Sequence, residues 1–294
     1  MTSSTRSQRR PSLDQQQMNV VPVDSDRQIT YTEYGCPDGV PVVFLHGTPG
    51  SRQLGALFEA EAQENGVRVL APDRPGYGRS SPWPNRSVRD AAEFVTPVLD
   101  DADVQTAGLI AFSGGSPYAL SIAATQAERI NQIDIIAGAT PPTASDESPA
   151  IQRLLASLAT TTPSVLRGLF RGQMWLAERL DPSFVVGQYT ANDDAVANAA
   201  AEIVKEDFVE AFAHSRNGAV IEFRDTATDW GVDFDEIDVE VRLWHGSNDT
   251  NVPIAGARRL EGEIPSAELH VLDDADHLQT LLRSTPHVME GIDD

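Results

Sequence analysis

The stretch Gly108-Leu109-Ile110-Ala111-Phe112-Ser113-Gly114-Gly115-Ser116-Pro117 decides how the chain folds. An apolar run of strand character ends on a serine followed by two glycines, and a helical pattern with Pro117 in its first turn leaves it. A serine on so tight a strand-to-helix turn takes a strained backbone conformation that small neighbours permit, and its hydroxyl stands exposed. The helix start also aims N–H groups at any developing oxyanion. The pattern alone is weak. Ala111 breaks the strict G-x-S-x-G form, and with Gly or Ala allowed at both ends a chain of this composition holds about 0.7 matches by chance. Ala119-Leu120-Ser121-Ile122-Ala123 is such a match, inside a helical pattern. A plain glycine-rich turn or a phosphate-binding loop stays open at this point.

Outward from this turn, short apolar runs alternate with helical stretches. Strands are expected at Pro41–His46, Val67–Pro72, Thr106–Phe112, Gln132–Ala137, Val239–Trp244 and Glu268–Leu272. Helices are expected at Arg52–Glu64, Ser87–Asp101, Ser116–Ile130 and Pro253–Glu263. Near-continuous apolar strands alternating with helices argue for a doubly wound α/β fold, its parallel sheet covered on both faces. Met18–Val23 and Arg27–Tyr34, joined by Asp24-Ser25-Asp26, precede this alternation as a hairpin. The alternation stops between Pro141 and about Gly218, where only helical patterns occur, at Ala150–Ala159, Pro163–Leu180 and Asp194–His214. The expected organisation is a disordered tail at 1–17, a core at 18–142 and 217–294, and a helical cap at 143–216. Arg9-Arg10 in the tail is followed by no apolar stretch, so an export signal is not expected.

Three further motifs sit at strand ends. His46-Gly47-Thr48-Pro49-Gly50 follows the strand ending at Leu45, and Thr48 is its candidate backbone donor because Pro49 has no N–H. Leu243-Trp244-His245-Gly246-Ser247-Asn248-Asp249 ends a strand on a carboxylate. Asp273-Asp274-Ala275-Asp276-His277-Leu278 sets a histidine just past another. In a parallel sheet these loops emerge on one edge, where ligand sites of α/β folds lie. The order Ser113, Asp249, His277 is the hydrolase order for such an elbow.

With Asp73-Arg74-Pro75-Gly76-Tyr77-Gly78-Arg79-Ser80 added, the chain from Met18 onward resembles the α/β-hydrolase superfamily, in particular small serine hydrolases with a His-Gly-x-Pro-Gly loop. The resemblance implies an eight-stranded, mostly parallel sheet whose second strand is antiparallel, with the cap inserted after the sixth strand. It implies Ser113 as nucleophile, His277 as base, Asp249 as orienting acid, and the Thr48 and Gly114 N–H groups as the oxyanion hole. No zinc-like His/Cys spacing appears, so no metal is expected, and the expected hydrolase needs no cofactor. The stretch Ile136–Pro141 offers no competing carboxylate; His46 and His245 are expected to be buried and structural, and His270 in a strand, His214 in the cap and His287 in the terminal helix compete poorly with His277. Asp273, Asp274 and Asp276 read as a solvated surface cluster. A serine nucleophile predicts an acyl-enzyme, and the leading expectation is a serine hydrolase acting on a carboxylic ester or related small acyl compound. The alternatives are an aminopeptidase similar to proline iminopeptidases, with Glu178, Asp181 or Glu202 binding the amine, and a non-catalytic ligand-binding protein. Gly114 stands where iminopeptidases usually carry an aromatic residue. Phe170, Met174, Trp175, Phe184 and Tyr189 are the candidate pocket residues, though a stripe of this kind also suits the cap's own core.

Composition limits the partners. The formal charge is −22, from 22 basic and 44 acidic residues, so nucleic acid and anionic membranes are poor partners. No apolar run approaches a membrane span, and Cys36 is the single cysteine, which excludes an intrachain disulfide. A cytoplasmic monomer or homodimer is expected. Only Lys205 is a lysine, and 26 of the acids are aspartate, a composition that resembles proteins of salt-in halophiles. Arg over Lys alone would also follow from a high-GC genome.

Overall fold

The computed structural model describes residues 17–142 and 149–292. The expected tail, apart from Gln17, lies outside the described residues. So does the expected start of the cap at residue 143.

Eight strands form one sheet: β1 (Met18–Pro22), β2 (Gln28–Gly35), β3 (Val40–Leu45), β4 (Val67–Pro72), β5 (Ala107–Phe112), β6 (Ile130–Ile136), β7 (Glu240–Gly246) and β8 (Ala267–Leu272). Their order is β1-β2-β4-β3-β5-β6-β7-β8. β1 and β2 run antiparallel to their neighbours, and β4, β3, β5, β6, β7 and β8 run parallel to one another. The hairpin turn is set by the Asp24 side chain, which accepts from the Asp26 and Arg27 N–H groups.

Every residue of β5 is buried, as its apolar sequence requires for a central strand covered on both faces. Two apolar clusters do the covering. One packs Val43, Leu45, Leu109 and Ala111 with α2 (Ala91–Asp101), α3 (Ser116–Thr125) and α9 (Ile254–Glu263). The other joins Val42, Phe44, Ile110 and Phe112 to α1 (Glu59–Glu64), α10 (His277–Glu290) and the helices that follow β6.

Those helices are α4 (Ala150–Thr161), α5 (Pro163–Ala177), α6 (Ser183–Val186), α7 (Asn198–Ala211) and α8 (Asn217–Asp225), all between β6 and β7. The expected helix at Asp194–His214 starts at Asn198 instead, and α6 and α8 were not legible in the sequence. The expected helix over Arg52–Glu64 begins as a 3₁₀ segment, Arg52–Phe58, which Ser51 caps by accepting from the Gln53 N–H. The division expected at 216 falls between α7 and α8. Helix α8 faces both ways, against α4 and α5 and against the loop after β4.

Candidate active site

Ser113 follows β5 directly, with φ of +50°. That left-handed conformation is rare for a residue with a side chain and marks a turn held by its surroundings. The surroundings are visible. A Cβ on Gly115 would collide with the Leu45 carbonyl of β3, so the chain leaves the sheet where only glycine fits. Ala111, at the position usually held by glycine, is fully buried in register with Leu45 and Ile135 and leaves the turn intact.

Asp249 and His277 come from the loops after β7 and β8. His277 Nδ1 lies 2.7 Å from Asp249 Oδ2, and His277 Nε2 lies 2.9 Å from Ser113 Oγ. The other Asp249 oxygen accepts from the Asn251 and Val252 N–H groups at 2.8 and 2.9 Å. Burial pushes the Asp249 carboxyl up, but attraction to His277 and these hydrogen bonds outweigh it, and the net shift is downward. The imidazole is itself buried, with its ring 5.0 Å from that of Phe112. The expected trio therefore meets within hydrogen-bonding reach at one edge of the sheet.

Thr48 follows β3 on the same edge. A Cβ on Gly114 would strike the Thr48 side chain and stand 3.2 Å from the Thr48 nitrogen, so the two candidate donors are neighbours. Thr48, Ser113 and Gly114 border a cavity of about 330 Å³. Its wall is mostly small or apolar (Ala139, Ala156, Phe223, Ala227, Val252), and Arg153 of α4 is its single charged side chain among the described residues.

The five candidate pocket residues of the cap fall mostly in the cap's own core, the second of the two readings. Phe170 is buried in the core, stacked on Phe212 at 5.0 Å. Met174 and Phe184 pack against the same cluster. Trp175 is exposed, under the guanidinium of Arg179. Only Tyr189 of the five lines a space that Ser113 also lines, a narrow cleft. The stripe marks the face by which the cap helices bury one another. The cavity is instead lined by α4, the end of α8 and the segments after β6 and β7.

The other readings have clear placements. His46 and His245 are buried, and burial holds both below the ordinary histidine range. Glu178, Asp181 and Glu202 are exposed and border neither space beside Ser113. Asp276 is not part of a solvated cluster. It is buried, caps α10 by accepting from the Gln279 N–H, and accepts from Thr190 Oγ1 and the Ala191 N–H. No group of three or more possible metal ligands occurs among the described residues, and no helix there is long and apolar enough to cross a membrane.

Two buried charge clusters gave no sequence signal. Asp73 and Glu210 share Arg52, and Asp207 of α7 accepts from both the N–H and hydroxyl of Ser51. Glu222 of α8 pairs with Arg74 and Arg86. Their partners lie too far apart in the chain to form a local pattern, 148 residues for Arg74 and Glu222.

Comparison with known proteins adds to this geometry. A model of alpha/beta hydrolase fold proteins matches residues 40–283. The chain is 27% identical over 243 residues to a 2-hydroxy-6-oxononadienedioate/2-hydroxy-6-oxononatrienedioate hydrolase of Cupriavidus pinatubonensis, covering 80% of each chain. It is 28% identical over 262 residues to a non-heme chloroperoxidase of Kitasatospora aureofaciens, covering 85% of this chain and 88% of that one. Among solved structures, the enol-lactonase of Burkholderia xenovorans superposes with a TM-score of 0.71 at 20% identity, over 92% of this chain and 98% of that one. The bromoperoxidase of Bacillus anthracis gives 0.70 at 21% identity, over 93% and 96%.

Proposed function

Because the chain belongs to the alpha/beta hydrolase fold family, we propose that it is a serine hydrolase cleaving small carboxylic esters or related acyl compounds through an acyl-enzyme. The observation that carries this reading is the continuous line from Asp249 through His277 to Ser113, at 2.7 and 2.9 Å. In the proposed cycle Ser113 Oγ attacks the acyl carbon while its proton passes to His277 Nε2. The carbonyl oxygen becomes an oxyanion facing the Thr48 and Gly114 N–H groups. Collapse breaks the bond to the leaving alkoxide, which takes the proton from His277 as it departs. Water then repeats the sequence on the acyl-enzyme and releases the acid. Asp249 stays ionised throughout and holds the Nδ1 proton toward itself, consistent with its lowered pKa.

The cavity supports an acyl substrate over an amino-terminal one. A free amine calls for a free carboxylate; the charged side chain that the described residues place on this cavity is Arg153, and Asp207, which borders the narrow cleft beside Ser113, is already held by the Ser51 N–H and hydroxyl. Gly114 has no room for the aromatic side chain usual in iminopeptidases, because Thr48 fills that space. A non-catalytic binding protein would have no use for a strained serine aligned with a buried imidazole.

The test is a panel of p-nitrophenyl esters and prolyl arylamides assayed at high salt with the wild type and Ser113→Ala. Ester turnover that falls by about three orders of magnitude or more in Ser113→Ala supports the reading. Turnover of the arylamides alone would favour the aminopeptidase. Ester turnover that survives Ser113→Ala would reject the nucleophile.

A further inference from the structure

The Thr48 N–H belongs to the Gly47–Thr48 peptide. A trans peptide is planar, with its C=O and N–H on opposite edges. Whatever holds the Gly47 oxygen therefore aims the Thr48 N–H the other way. Two buried groups hold it: Arg74 Nη2 donates at 3.1 Å, and His46 Nδ1 lies 2.8 Å away. His46 Nε2 accepts from the Arg74 backbone N–H at 3.1 Å, which leaves the ring proton on Nδ1. Arg74 Nη1 also donates to the His46 carbonyl.

Arg74 is in turn aimed by Glu222. Its Nε and Nη2 fork onto the two carboxylate oxygens at 2.9 and 2.7 Å. The Thr48 hydroxyl donates to the same Oε2 at 2.6 Å, and Tyr77 and Arg86 complete the shell at 2.7 and 2.8 Å. The Glu222 side chain is wholly buried. Burial pushes its carboxyl up, but attraction to Arg74 and Arg86 outweighs that and holds it below the ordinary range. The helix bearing Glu222 is pinned to the loop bearing Arg74 and Tyr77, backbone against backbone: a Cβ on Gly76 would stand 2.8 Å from the Gly218 nitrogen.

We propose that Glu222 is a positioning residue: by gripping Arg74 and the Thr48 hydroxyl, it fixes the Gly47–Thr48 peptide so that the Thr48 N–H meets the oxyanion. The proposal rests on the serine-hydrolase reading. Its signature follows from the chemistry, because the oxyanion exists in the transition state and not in bound substrate, so a misaimed donor lowers kcat and leaves KM alone.

The experiment compares Thr48→Val, which removes the grip and keeps the shape, with Thr48→Ser, which keeps the hydroxyl, and with Glu222→Gln. Substrate is a neutral p-nitrophenyl ester, and a trifluoromethyl ketone, whose adduct carries an oxyanion, reports the donor directly. Thr48→Val should lower kcat about ten-fold or more with KM changed less than about two-fold, and weaken the ketone by the same factor. Thr48→Ser should recover most of that loss, and Glu222→Gln should move kcat the same way. If Glu222→Gln does not fold, the Thr48 pair decides. Wild-type kcat and ketone affinity in Thr48→Val, or equal losses in Thr48→Val and Thr48→Ser, would overturn the proposal. Failure of a fluorophosphonate to label the wild type would overturn the hydrolase reading and this proposal with it, whereas labelling of both wild type and Thr48→Val at equal rates sinks this proposal alone.

Discussion

At Ser51 the backbone N–H and hydroxyl both point at one buried carboxylate, Asp207, at 2.6 and 2.9 Å. Burial outweighs those bonds and pushes the Asp207 pKa up to about 7. A carboxyl raised this way favours the protonated folded state, so its stabilisation is full below the unfolded carboxylate range near pH 4 and is lost as pH rises through about 7. Asp207→Asn should therefore gain in melting temperature relative to wild type as pH goes from 5 to about 8, measured by thermal scans of both proteins. A constant difference across that range would show that Asp207 does not titrate there. Arg153 invites a second test at this scale. As the cavity's single charged liner among the described residues, it should favour esters bearing a distal carboxylate. Arg153→Ala should reduce kcat/KM for a p-nitrophenyl hemiglutarate by about ten-fold while sparing p-nitrophenyl butyrate, roughly what one exposed charge-assisted bond supports. Equal effects on both esters would deny the arginine that role.

Among the elements, α10 carries the imidazole on its first residue, so its N-terminus is a functional joint. Asp276 caps the helix through the Gln279 N–H and ties it to the cap through Thr190 and Ala191, while the Leu278 N–H donates to the Tyr189 carbonyl. Asp276→Ala should cost about 1–2 kcal/mol in urea unfolding, as loss of a helix N-cap does, and should lower kcat by letting His277 drift. An unchanged kcat at reduced stability would separate the cap from the chemistry. The strands and their end-loops were legible in the sequence because most of the strands carry a short apolar run and each chemical residue falls just beyond one. Asp276 was not, because an aspartate that caps a helix looks the same as two exposed neighbours in Asp273-Asp274. The pocket was not legible for a related reason: an amphipathic stripe reports that a face is buried and says nothing of what buries it. The cap helices hide Phe170 and Phe212 against each other and turn Arg153 and Ala156 to the cavity. Glu222 was invisible because its four side-chain partners converge from three separate segments.

For the molecule as a whole, the charge of −22 sets a field that no single residue reveals. Self-repulsion on this scale opposes the compact state, and screening shortens its reach from about 10 Å at 0.1 M salt to about 3 Å at 1 M. Melting temperature and ester turnover should both rise strongly between about 0.05 and 2 M KCl. A flat response would leave the Arg-for-Lys bias without a solvation role. The inner ion pairs should be insensitive to this change, since Glu222, Arg74 and Arg86 are sealed from the solvent that carries the salt.

A covalent bond between an acyl group and Ser113 is what separates the proposed hydrolase from a non-catalytic binding protein. Intact-mass spectrometry after rapid acid quench with a p-nitrophenyl ester, followed by peptide mapping, addresses it directly. One acyl adduct is expected, mapped to the peptide containing Ser113, absent in Ser113→Ala and strongly reduced in His277→Ala. An adduct on another residue, or undiminished adduct in Ser113→Ala, would contradict the proposed nucleophile.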